Sequence, residues 1–138
     1  MRQRNAVVAG GATTIATTGN TDLYVIAPDN AILNAAYFSA IDALAQHGSN
    51  YVTFSITNLG QAGSGSNPLL AATDANTTKT TTGSAIAANT KRALTLNGTT
   101  SNRRVQAGDR LRIRVAATGT LANTLTGSAF TLVFDKVI

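Results

Sequence analysis

The chain has no cysteine, no tryptophan, a single histidine and two prolines, and all six of its carboxylate side chains are aspartates, with no glutamate. The lack of cysteine excludes a disulfide framework, a thiolate zinc site and a cysteine nucleophile, so stability has to come from packing or association. One histidine, His47, cannot build a zinc site. It is also the only base available to a Ser-His-Asp constellation, and it sits before Gly48-Ser49-Asn50 in a loop-like stretch. The aspartates are scattered singly, and Asp74-Ala75-Asn76 lacks the glycine and distal glutamate of a calcium loop. No catalytic, cofactor-binding or metal-binding residue is therefore assigned, no cofactor is expected, and the sequence argues against an enzyme.

Charge is also sparse. Only 12% of residues are charged, about half the usual quarter, while Thr, Ala, Asn and Gly crowd the sequence. Surface helices draw on Glu, Lys, Arg and Gln, so this composition excludes long ones and favours strands and turns. No apolar run approaches the roughly 20 residues of a membrane-spanning helix, and no membrane partner is expected. The apolar patch after Met1-Arg2-Gln3-Arg4 stops at Gly10-Gly11, too short for the core of a secretion signal. Three tyrosines and four phenylalanines are too few for the stacking platform of a single-strand nucleic-acid binder.

What is present is alternation. In Tyr51–Asn58, Val52, Phe54 and Ile56 alternate with Thr53, Ser55 and Thr57, which is the period of a half-buried strand. Arg110–Val115 places Leu111, Ile113 and Val115 inward and three arginines outward, and Phe130–Phe134 repeats the pattern. Shorter strand candidates are 21–27, 92–96 and the Thr-rich 77–82, while Gly60–Asn67 reads as a flexible loop. Residues 31–46 are locally ambiguous, because Leu33, Tyr37, Ile41 and Leu44 also fall at helical spacing. With 138 residues and 14.1 kDa, the chain makes one domain that buries about two thirds of its unfolded surface. The fold class read from this pattern is all-β: an antiparallel two-sheet sandwich of short strands, jelly-roll-like. Residues 21–138 form the sandwich, and residues 1–20 are an N-terminal arm or a first strand near 13–17.

The net charge of +5 has a pattern: Lys91-Arg92, Arg103-Arg104 and the ladder Arg110, Arg112, Arg114. On one strand face the ladder cations recur about every 6.5 Å and repel unless something acidic meets them. Asp109 and Asp135 are the neighbours the sequence offers. Either these arginines are solvated stems covering a small core, or Arg103, Arg104, Arg110, Arg112 and Arg114 form a contact face for another subunit or an acidic partner. A basic stripe without a recognised motif does not make a nucleic-acid site.

Three segments, taken in order, resemble small structural proteins of tailed bacteriophages. They are Val25-Ile-Ala-Pro28 leading to Ala31-Ile-Leu33; Gly48 to Asn58; and Ile86 to Thr90 running through Leu94-Thr-Leu96 to Val105-Gln-Ala-Gly-Asp-Arg-Leu111. The resemblance spans about residues 21–115 and is to capsid decoration (cement) proteins of the trimeric jelly-roll type. It implies a strand over 31–39 followed by a loop over 40–50. It also implies a homotrimer, with the major capsid protein as partner, that sits on the capsid exterior of a virion after synthesis in the host cytoplasm. The terminal segment would then be a capsid-contacting arm carrying Arg2 and Arg4, too few charges for packaging nucleic acid. The alternative is a head-fibre or tail-associated module that binds carbohydrate or another surface through the loops Gly60–Asn67 and Gly98–Asn102.

Overall fold

The computed structural model describes residues 2–137, with side chains over 13–137. Nine strands follow in order: β1 (Arg2–Ile15), β2 (Gly19–Ile26), β3 (Ala31–Ser39), β4 (Tyr51–Asn58), β5 (Asn67–Pro68), β6 (Arg92–Ala93), β7 (Arg104–Val105), β8 (Arg110–Thr118) and β9 (Leu125–Val137). One sheet has the order β1-β9-β3-β6, with β7 pairing the other end of β3, and the second has the order β2-β8-β4-β5. Every ladder is antiparallel. The first four strands alternate between the sheets and the last two do so again, giving an all-β sandwich of two antiparallel sheets.

The alternating strands supply the core. Val52, Phe54 and Ile56 of β4, Leu111, Ile113 and Val115 of β8, and Phe130, Leu132 and Phe134 of β9 are all buried. Phe38 of β3 lies 4.9 Å from Phe54 and 5.0 Å from Phe130 between ring centroids. That tilted cluster joins the two sheets, with each ring pair adding about 0.5–1.5 kcal/mol beyond its area.

Residues 31–39 are a strand, and the irregular stretch after it includes bridges at Leu44 and His47. The helical spacing there has a structural cause. The register with β9 slips between Leu33 and Ala35, so the bulge at Asn34 shifts the inward phase from Leu33 to Ala36 and Phe38. Of the four residues at that spacing, Leu33 and Leu44 are buried, whereas Ile41 is 56% exposed.

Three expectations need correcting. Residues 77–82 form no strand; the chain there makes only single bridges, Thr53 with Thr77 and His47 with Lys79. Thr78 is buried and binds Val52 twice, its hydroxyl accepting from the Val52 N–H and its own N–H donating to the Val52 carbonyl. A threonine hydroxyl here therefore bonds the backbone of β4 in place of a continuous ladder. Of 92–96, only Arg92–Ala93 is a strand. At the start of the chain, β1 runs from Arg2 through Ile15 against β9, longer than the short strand expected near 13–17.

The long excursion between β4 and β8 closes one side of the sandwich. Leu69 donates to the Ile56 carbonyl and Leu94 to the Ala36 carbonyl, while β5, β6 and β7 pair along β4 and β3. Its anchor is Asn76, wholly buried, whose amide donates to the Ala71 and Thr95 carbonyls and accepts from the Thr95 N–H. On the opposite side β1 and β2, which touch each other, are the terminal strands of their sheets.

Candidate interaction face

The outer face of the four-stranded sheet carries the arginine ladder, three of the seven cations in the sequence's basic pattern. Antiparallel register sets Asp22, Tyr24 and Ile26 of β2 opposite Arg114, Arg112 and Arg110 of β8, and these in turn stand beside Ser55 and Thr57 of β4. Arg114 holds Asp22 with two charge-assisted hydrogen bonds, Nε to Oδ1 at 2.7 Å and Nη2 to Oδ2 at 2.8 Å. The hydrogen bond from Arg114 holds the Asp22 carboxyl below its usual pKa; partial burial opposes this, and the charges of Arg114 and Arg112 reinforce it. The same pairing raises the pKa of Arg114.

Asp22 is therefore the ladder's acidic partner, in place of Asp109 and Asp135. Asp109 is buried in the turn before β8, where it accepts from the Asn58 amide at 2.9 Å and the Gln106 N–H at 2.8 Å. Asp135 belongs to β9 in the other sheet, in register with Arg4 and Ile32. Arg110 lies over the ring of Tyr24, 4.4 Å from its centroid, and Arg112 has its Nε enclosed without an acceptor. Tyr24 and Ile26 are 48% and 56% exposed.

The other basic candidates separate. Arg103 turns inward, with its Nη1 donating to the Leu33 carbonyl at 2.8 Å, which ties the turn Thr100–Arg103 to β3. Arg104 is exposed on β7 and lines a concavity of about 480 Å³ with Asn30, Gln106 and Asp109. Arg2 and Arg4 sit on β1 opposite Val137 and Asp135, but their side chains lie outside the described residues. Arg92, part of the Lys91-Arg92 element of the basic pattern, donates to the carbonyls of Ser84, Thr77 and Ala75 and stacks on Phe54; burial lowers its pKa. Nothing in its local sequence separates it from neighbouring Lys91, because its acceptors come from a loop folded over it.

His47 is exposed and uses Nδ1 to accept the N–H groups of Ser49 and Asn50, each at 3.0 Å, so it shapes its own turn. Among the described residues no three His, Cys, Asp or Glu side chains converge as metal ligands, and no helix is long and apolar enough to cross a membrane. Each tyrosine ring carries a cation: Arg110 on Tyr24, Lys91 on Tyr37 and Lys79 on Tyr51. Sugar stacking on these rings would have to displace those cations.

No protein-family model matches the sequence, and no curated protein matches it. Similar solved structures include a chain of infectious bursal disease virus, Gt strain, which is 11% identical with a TM-score of 0.47 over 98% of this chain and 32% of that one. A chain of the cyanophage Pam1 capsid asymmetric unit is 18% identical with a TM-score of 0.43, over 97% of this chain and 86% of that one. The present chain thus spans about a third of the length of the bursal disease virus chain that it matches.

Proposed function

We propose that the chain is a non-enzymatic virion structural protein that binds the outside of a phage capsid as a trimeric decoration knob and stabilises the shell. The observation that carries this reading is the asymmetry of the sandwich's two sides. Residues 59–109 cover the β3 and β4 side, whereas β1 and β2 end their sheets on the other side, beside exposed Tyr24 and Ile26. Long uncovered edges with apolar side chains are the features that proteins suppress unless another chain meets them. The ordered resemblance of three sequence segments to decoration proteins supports the same reading. A protein that binds only the assembled shell stabilises it by the free energy of the contacts it adds.

Light scattering after size exclusion tests self-association, with about three times 14.1 kDa expected. Electron microscopy of purified, undecorated shells incubated with the protein is expected to show added knobs. A monomer that leaves shells bare would overturn the proposal.

A further inference from the structure

We infer that the outer face of the four-stranded sheet is a docking groove for an extended acidic protein segment whose carboxylates, two residues apart, pair with Arg110 and Arg112. It rests on the proposed function only for which protein carries that segment. Strands β2, β8 and β4 of this face hold three guanidiniums and one carboxylate, and Arg114 takes both oxygens of Asp22; the carboxylate at the rim, Asp74, is paired with Lys79 at 3.7 Å. The surplus positive charge lies at Arg110 and Arg112, neither of whose guanidiniums has a hydrogen-bond acceptor among the described residues, although the Arg112 charge also acts on Asp22. Arg110 rests on Tyr24, and Arg112 stands in register between Tyr24 and Thr57 with its Nε enclosed. Both cations are thus positioned without a carboxylate bonded to them.

Beside them runs a concavity of about 270 Å³ floored by Thr53, Ser55 and Thr57 and walled by Pro68, Leu70 and Asp74. None of the three floor hydroxyls has a hydrogen-bond partner among the described residues, so all are free to bond a ligand. Outward side chains on one strand repeat every 6.5–7 Å or so, and alternate residues of an extended ligand repeat at the same spacing. A segment with carboxylates at positions i and i+2 therefore matches Arg110 and Arg112 while its backbone lies along the hydroxyl row.

A second copy of the chain does not fit this description. Its six aspartates lie at 22, 29, 42, 74, 109 and 135, with no two of them two residues apart, and its net charge is +5. Nucleic acid fits less well than peptide, because two free cations neutralise few phosphates and the exposed aromatic, Tyr24, already has Arg110 on its ring.

The test is fluorescence anisotropy with a labelled peptide alternating Glu and Thr, the same peptide with Gln for Glu, and a short oligothymidylate. The Glu peptide is expected to bind, and binding to weaken when salt is raised from about 50 to about 300 mM. Arg110→Gln and Arg112→Gln are each expected to lower its affinity about tenfold or more, with Lys91→Gln, whose side chain rests on Tyr37 of the other sheet, within about twofold of wild type. A melting curve checks that each variant is folded, and Arg112→Glu gives a second readout, since it is expected to prefer a Lys-for-Glu peptide. Equal binding of the Gln peptide, unchanged affinity in both arginine variants, or tighter binding of oligothymidylate overturns the inference. Decorated shells without peptide binding would overturn the groove and leave the proposed function standing. Peptide binding lost in the variants, with shells left bare, would do the reverse.

Discussion

Asp22 and Arg114 face each other across β2 and β8 and are joined side-on, with each carboxylate oxygen accepting one guanidinium N–H, at 2.7 and 2.8 Å. Their side chains are 22% and 28% exposed, so the pair sits at the surface without being fully wet. It pins an edge strand to its neighbour and removes one arginine from the surface available to a partner.

Asp22→Asn is expected to cost about 0.5–1 kcal/mol at neutral pH, the upper range for a partly exposed pair with bidentate geometry. The folded-state pKa of Asp22 lies below its ordinary 3.8. The unfolded chain therefore binds the proton first, and stability from this group is complete above the ordinary carboxylate range and lost as pH falls through the lower folded value. Urea melts of both proteins from neutral pH down to acid check this. A difference that persists undiminished below the folded pKa would contradict it.

Asn76→Ala is expected to destabilise by about 1–3 kcal/mol, because it strips bonding partners from the Ala71 carbonyl and from both backbone groups of Thr95 in a buried setting. Denaturant titration measures it. A loss under about 0.5 kcal/mol would mean that water replaces the amide.

Arg103 and Arg104 are adjacent but are expected to behave differently. Arg103→Gln removes the bond to the Leu33 carbonyl and is expected to lower stability by about 1–2 kcal/mol, whereas Arg104→Gln, at an exposed position, stays within about 0.5 kcal/mol. Thermal melts of the two variants side by side decide it, and equal effects would refute the distinction.

Ile26→Lys places a charge at a position 56% exposed on the terminal strand β2. Domain stability is expected to change by under about 0.5 kcal/mol, while self-association weakens about tenfold if β2 belongs to the subunit contact. Sedimentation velocity over a concentration series reads the second effect, and an unchanged oligomer would exclude β2 from that contact.

The strands legible in the sequence were those whose inward and outward sets never change phase: Tyr51–Asn58, Arg110–Val115 and Phe130–Phe134. For these, one buried face and one solvated face are enough to write the period into the residues. Where the backbone slips a residue, as at Asn34 in β3, the period disappears and a helix fits as well. Where side-chain hydroxyls replace ladder bonds, as at Thr77 and Thr78, composition points to a strand that does not form.

The same division applies to the site. That Arg110, Arg112 and Arg114 share the outward face of one strand follows from the residues alone, because their alternation with Leu111, Ile113 and Val115 admits no other arrangement in a half-buried sheet. The fold then settles the rest: Arg114 is neutralised by Asp22, Arg92 and Arg103 are spent on backbone carbonyls, and of the ladder Arg110 and Arg112 are left without a bonded carboxylate. Alternation is a property of neighbours along the chain. Charge pairing depends instead on which strand lies beside which, and that is set by the packing of both sheets around the Phe38, Phe54 and Phe130 cluster.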